Sequence, residues 1–244
     1  GSEHDFPETK TDVDEFKDLN ETVQDLLQRS VDTFNSQKQF IENAAHELQT
    51  PLAIGINKLE LLAERNSMTD EQMKEISSVI ESLERLTRLN KTLLLLSKIE
   101  NRQFTDKSII DFNEVVDRTV QVFSDLFEFK SINVEVIKDA PLNVGMNPEL
   151  AEMMISNLLK NAIVHNREGG TIQIRLTASA VTVTNSSDAT MLDETQIFKR
   201  FYKSSSSKSS SGLGLAIVKS IASLYNFRVT YSFDGNHTFS VHFW

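Results

Sequence analysis

The sequence predicts two unlike domains in series: an all-helical hairpin of the kind that forms bundles, then an α/β sandwich with helices laid over one sheet. Three observations carry this expectation. From Asp12 to Glu100 there is no glycine except Gly55 and no proline except Pro51, a composition that favours long helices. After the polar joint Asn101–Lys107 the pattern changes to helices alternating with short strands. At 244 residues the chain has the length for two modest domains.

Taken in order, residues 1–38 hold ten acids and four bases, so most of the formal charge of -10 sits there. Gly1–Ser2 reads as the scar of tag cleavage. Apolar residues then recur at helical spacing at Ile41, Ala45, Leu48, Leu52, Leu59 and Leu62. A second series runs Ile76, Ile80, Leu83, Leu86, Leu89, Leu93, Leu96 and Ile99. Between them lies the polar break 65–71, where Thr69 or Ser67 can cap the second helix. One hairpin cannot bury seams on both sides, so two copies forming a four-helix bundle are expected; the alternative is a monomeric hairpin packed on the downstream domain.

In the second domain, Asn113–Phe129 reads as a helix with an apolar stripe and Ile132–Val136 as a strand. Pro148–His165 reads as a helix capped by Asn147, with proline at its first position. Strands are expected at Thr171–Leu176, entered through Gly169–Gly170, and at Val181–Thr184. A serine-rich loop, a helix over about 212–225 and two final strands follow.

Composition excludes several classes of protein. There is no cysteine, which removes disulfide scaffolds and cysteine-ligated zinc. An acidic chain is no basic nucleic-acid binder, and no run approaches the ~18 apolar residues of a membrane span.

Three constellations carry chemistry. The first is His46–Pro51: with Ala45 at the core, His46 and Glu47 face solvent. Glu47 is close enough to orient or deprotonate the imidazole, leaving the other ring nitrogen nucleophilic. Pro51 removes one helix donor and exposes the Glu47 carbonyl. A zinc-protease pattern would need a histidine at position 50, where Thr50 stands. Next, Asn157, Asn161 and His165 repeat every fourth residue, sharing one helix face with Lys160 beside it. Such a face can hold hydrated magnesium with its phosphates, or it can simply be solvated. The third is Ser211–Ile217, where Gly212 and Gly214 open a helix and let backbone amides approach an anion. A dinucleotide fingerprint fails there because position 217 is isoleucine. No acid occurs between Glu194 and Asp234, while Lys199, Arg200, Lys203, Lys208, Lys219 and Arg228 all do, which suits a polyanionic ligand. Ser204–Ser211 reads either as a plain linker or as a mobile lid.

In this order the constellations resemble a sensor histidine kinase of two-component signalling. His46–Pro51 resembles the family's phosphoacceptor box, Asn157–Asn161 its N box, Ile197–Lys203 its F box and Gly212–Leu215 its second glycine box. The resemblance implies a membrane-proximal relay segment over 1–29, a dimerisation and phosphotransfer domain over 30–100, a linker over 101–107 and a catalytic ATP-binding domain of the Bergerat type over 108–244. It implies that His46 attacks the γ-phosphate of ATP with Glu47 as general base, and that Thr50 assists dephosphorylation of a response regulator. Asn157 and Asn161 would hold Mg2+, with Lys160 and His165 contacting phosphates. Asn185, Phe198, Arg200, Phe201, Lys203, Gly212, Leu213, Gly214 and Leu215 would complete the nucleotide site. Implied partners are a second copy through the hairpin and a receiver domain, with no nucleic acid. The membrane would be reached only through further segments, making this the cytoplasmic portion of a bacterial inner-membrane protein.

One box departs from the pattern. Asn185–Ala189 stands where the family has an aspartate for the adenine amine and a following glycine. An amide oxygen still accepts from that amine but without charge, and Ser187 adds a side chain. This leaves a second reading: a weakly ATP-binding dimeric scaffold acting mainly as phosphatase or conformational relay.

Overall fold

A computed structural model describes residues 14–64, 68–188, 190–203 and 211–244, apart from the side chains of 14–15, 34–35, 37–38 and 40–42. The chain divides into two compact units, Gly1–Ser97 and Lys98–Trp244. The N-terminal residues 1–13, the break at 65–67, Ala189 and the serine-rich 204–210 with Lys208 lie outside the described residues, as does the Ile41 side chain.

The first unit is the expected hairpin. Helix α1 spans Asp14–Ala63 and passes through Pro51 without interruption; α2 spans Asp70–Glu100. Thr69 starts α2 with a reciprocal cap. Its hydroxyl accepts from the Gln72 amide N–H at 3.3 Å, and the Gln72 side-chain oxygen accepts from the Thr69 N–H at 3.0 Å. Asp70 and Glu71 in the first turn add charge of the sign that the helix dipole favours.

The two helices meet along a narrow stripe. Gly55 faces Leu83, whose Cδ1 lies 3.5 Å from where a Cβ on residue 55 would sit. Ala45 is buried, and the buried Asn90 amide of α2 donates to the Ala45 carbonyl of α1. The expected seam is only partly covered: Leu48, Leu62 and Leu86 are exposed, Leu48 at 53%. Spacings of three and four spread these leucines beyond one helix-facing strip, so each helix carries a second apolar flank, which Ile54, Leu61 and Val79 extend.

In the second unit, β1 (Ser108–Asp111) leads into α3 (Phe112–Val122) and α4 (Ser124–Phe129), followed by β2 (Asn133–Lys138) and β3 (Asn143–Met146). Helix α5 (Pro148–Val164) precedes the hairpin of β4 (Thr171–Leu176) and β5 (Ala180–Ser186). Helix α6 (Gly214–Leu224) precedes β6 (Arg228–Phe233) and β7 (Asn236–His242). The main sheet has five strands in the order β2-β4-β5-β7-β6, with only β2 and β4 parallel.

Three expectations are corrected. The single helix over Asn113–Phe129 is two, because the chain turns at Phe123 between α3 and α4. The one sheet is joined by a second, two-stranded antiparallel sheet of β1 and β3, strands too short to show alternation in the sequence. The sequence pattern puts Leu158, Leu159, Ile163 and Val164 on the buried side of α5, but Val164 is exposed in the last turn, and Ala162 is buried.

Asn147 accepts from the Leu150 N–H at 3.1 Å and Pro148 occupies the first turn, as the sequence indicates. Leu150, Met154, Ile155, Leu158 and Leu159 of α5 are buried together with Ile172, Ile174, Val181, Val183, Phe239 and Val241 of the sheet. The alternate residues of β5 and β7 face the other way and pair by hydroxyls, Thr182 with Ser240 at 2.9 Å and Thr184 with Thr238 at 3.0 Å. Helices therefore cover one face and the other stays polar, a two-layer sandwich. Thr69→Ala removes the α2 cap and is expected to cost the hairpin about 1 kcal/mol, read as a lower urea midpoint of the helical signal at unchanged slope.

Candidate functional site

The hairpin presents its chemistry outward. Ala45 turns inward at 3% exposure, and the next two residues, His46 and Glu47, are exposed, as is Thr50 one turn on. Pro51 has no N–H to give to the Glu47 carbonyl, so that oxygen stays open to other donors.

In the second unit the separate motifs converge. Asn157, Asn161 and His165 lie half-buried at four-residue intervals along α5 and at its C-cap. The Asn157 side chain donates to the Met153 carbonyl at 2.8 Å. Its Oδ1 lies 3.2 Å from where a Cβ on Gly214 would sit, tighter than ordinary van der Waals contact. The N-terminus of α6 therefore abuts the asparagine face of α5, and glycine permits it.

Gly212 has φ of 71° and faces the Phe201–Tyr202 backbone, with a would-be Cβ only 2.7 Å from the Tyr202 carbonyl oxygen. Its own carbonyl accepts from the Phe201 N–H at 2.9 Å. Phe201 is itself left-handed, with φ of 64°. The glycines expected to clear space for an anion thus also fasten the motifs to one another, Gly214 to Asn157 and Gly212 to Phe201. Leu213 between them is fully buried and Leu215 half-buried.

The remaining residues are placed as follows. Phe198 meets Phe239 of β7 edge-on at 6.5 Å, and Lys203 is half-buried. Lys160 is exposed with its ammonium 5.9 Å from the centre of the Phe123 ring. Arg200 is ion-paired with Glu100, the last residue of α2 and part of the second unit.

Asn185 is the most informative residue. It is 1% exposed at the end of β5, and its Nδ2 donates to the Ser186 carbonyl at 3.0 Å and to the His165 carbonyl at 3.4 Å. Among the described residues its buried Oδ1 has no hydrogen-bond partner, and a buried acceptor of this kind costs about 1–3 kcal/mol unless something donates to it. An exocyclic amine of a base is such a donor, so the chemistry of this residue fits ATP.

Sequence reasoning missed several residues around this amide. The Ser186 hydroxyl donates to Asn166 Oδ1 at 2.6 Å and accepts from the Thr171 N–H at 2.8 Å. His237 of β7 stands directly across the strand pair from Asn185 and is buried, as is Tyr231. The signal that could have found them is a histidine and a tyrosine at inward positions of otherwise apolar strands.

Burial holds both histidines below the ordinary imidazole value of 6.5, with Lys130 adding to the effect on His165 and His165 adding to that on His237. For magnesium, no group of three histidine, cysteine or acidic side chains converges among the described residues. An ion on Asn157 and Asn161 would therefore bring most of its oxygen ligands with it, as magnesium does when it arrives with phosphate and water.

A histidine-bearing helical hairpin followed by this amide-lined sandwich defines the class: a histidine kinase core. Residues 36–102 match the His Kinase A (phospho-acceptor) domain and residues 146–244 the histidine kinase-, DNA gyrase B- and HSP90-like ATPase domain. Together the two matches span most of the chain and are the two domains of a histidine kinase. The chain is 31% identical to the heme sensor protein HssS of Staphylococcus saprophyticus over 90% of this chain and 49% of that protein. It is 28% identical to the sensor histidine kinase HprS of Escherichia coli K12 over 91% of this chain and 50% of the relative. The chain thus spans about half the length of the curated relatives it matches. Among solved structures, full-length ShkA in complex with AMPPNP aligns at a TM-score of 0.67 and 19% identity, covering 84% of this chain and 45% of that one. The histidine kinase AdeS of Acinetobacter baumannii aligns at 0.54 and 22% identity, covering 81% and 96%. Both likenesses concern the fold.

As pH falls, depressed folded-state values for His165 and His237 mean that the unfolded chain binds protons first. Stability is therefore expected to be level above pH about 6.5 and to fall below it. A urea-midpoint series across pH checks this, and combining His165→Gln with His237→Gln should flatten the acid limb.

Proposed function

We propose that this chain autophosphorylates His46 from ATP and passes the phosphoryl group to an aspartate of a response-regulator receiver domain. The observation that carries the reading is the unpartnered Oδ1 of Asn185, a buried acceptor beside the asparagine face of α5, in a chain whose other unit exposes a histidine next to a glutamate.

Each residue has a task. Asn185 accepts from the adenine amine. Asn157 and Asn161 hold Mg2+ against the phosphates, and Lys160, His165, Arg200 and Lys203 supply positive or donating groups around them. Glu47 takes the proton of one imidazole nitrogen while the other forms a bond to the γ-phosphorus; the bond from that phosphorus to the bridging oxygen breaks and ADP leaves with its electrons. The receiver carboxylate then takes the phosphoryl group from His46 and the N–P bond breaks. Transfer of this kind needs mainly position and charge neutralisation. Thr50, exposed one turn from His46, orients water for dephosphorylation of the regulator.

The uncovered flank of the hairpin, including Leu48, Leu62 and Leu86, supports a homodimer with four helices. Residues 30–100 serve as the dimerisation and phosphotransfer domain and 108–244 as the catalytic domain. No helix among the described residues is long and apolar enough to cross a membrane. With relatives twice as long that are sensor kinases, we assign the chain to the cytoplasmic portion of a bacterial inner-membrane protein. The alternative of a weak, mainly relaying scaffold is not favoured by these comparisons.

Incubation with γ-labelled ATP and Mg2+ should place acid-labile phosphate on the chain, and His46→Gln should remove it entirely; label that persists in this variant overturns the proposal. A second expectation concerns Asn185. The sequence suggests a weakened aspartate, but two carbonyls point at its amide nitrogen, so a carboxylate oxygen there would be repelled. Asn185→Asp is therefore expected to lower ATP affinity by about tenfold, measured by calorimetric titration, instead of restoring a stronger site.

A further inference from the structure

The segment Thr190–Lys203, a strap that carries the F box, buries Ile197 and is fastened at several points along its length. Phe198 meets Phe239, and the Phe201 N–H bonds Gly212. At its start, the Leu192 N–H donates to the Tyr231 hydroxyl at 3.0 Å. That hydroxyl is also 2.8 Å from His237 Nδ1. A backbone N–H can only donate, so the hydroxyl accepts from Leu192; toward Nδ1 it either gives its own proton or accepts a second time, according to the ring tautomer.

His237 is the register partner of Asn185 across β5 and β7, and residues directly opposite on an antiparallel pair project from the same face. Tyr231 lies one strand further, beside His237 with ring centres 5.8 Å apart and against Phe239 at 5.1 Å. A polar row thus runs through an otherwise apolar layer from the base-reading amide to the strap. A tyrosine merely filling the core would need one partner for its hydroxyl; this one has two, on different elements.

We propose that Tyr231 is a positioning residue for nucleotide binding, its hydroxyl fastening the strap at Leu192 to His237, the cross-strand neighbour of Asn185. Base recognition and docking of the strap then depend on each other. This inference rests on the ATP-binding reading above. Burial, with the nearby His165, pushes the His237 value down, in keeping with an uncharged ring beside the hydroxyl.

The test is titration of the whole chain with Mg·ATP and autophosphorylation kinetics, on the unsubstituted protein, Tyr231→Phe, His237→Leu and His237→Gln. Tyr231→Phe keeps the ring and removes the two bonds, so Kd and KM for ATP should rise about tenfold with kcat within about twofold. Phosphoryl transfer from already phosphorylated His46 to the receiver should not change. His237→Leu should weaken ATP similarly, and His237→Gln, which keeps both a donor and an acceptor, should recover most of the loss. Should Tyr231→Phe fail to fold, the His237 pair still decides. A lower melting temperature with unaltered ATP affinity, or equal affinities for the leucine and glutamine variants, overturns the proposal. Absence of ATP binding by the unsubstituted chain overturns the reading of the site itself, and this inference with it.

Discussion

The carbonyl oxygens of His165 and Ser186 converge on one side-chain amide, that of Asn185, and the second unit is organised around that convergence. One carbonyl belongs to the C-cap of α5 and the other to the end of β5, so the amide ties the helical layer to the sheet where the strand runs out. With both donor hydrogens occupied by backbone, the oxygen has one orientation left. A buried acceptor held open in this way is costly to folding and useful to binding, because the ligand that fills it recovers energy already spent. Ser186, Asn166 and Thr171 brace the same corner through their own bonds, which keeps the amide from relaxing into a more comfortable position.

The glycines repeat the lesson at backbone level. Gly212 and Gly214 bring two motifs that are distant in sequence, the F box and the N box, into contact with the start of α6. The order of the motifs along the chain is therefore less important than their convergence on one helix N-terminus, where main-chain N–H groups are without intrahelical partners.

Much of this was legible in the sequence. Asn147 and Pro148 marked the start of α5, Thr69 was one of two candidate caps, with Ser67, for α2, and the phase of Ala45 correctly turned His46 and Glu47 outward. What could not be read has identifiable causes. The turn at Phe123 carries no glycine or proline, so the apolar stripe ran through it unbroken. Strands β1 and β3 have four residues each, too few for a period of two to declare itself. Leu48, Leu62 and Leu86 looked like seam residues because helical spacing reports that a face is apolar, not which neighbour covers it. Tyr231 and His237 sit at inward positions that alternation assigns to the core, and only the hydrogen-bond geometry distinguishes a bracing pair from filler.

The bond from Asn90 to the Ala45 carbonyl lies one residue before His46, in the buried strip where α1 meets α2. Apolar side chains tolerate sliding past one another in small increments; an amide donor does not. Any shift of one helix along the other parts this bond and strands a buried donor at about 1–3 kcal/mol. The hairpin thus has a detent in place of a smooth bearing, and His46 is indexed to it: the two helices move as one piece until something supplies the energy of a whole step.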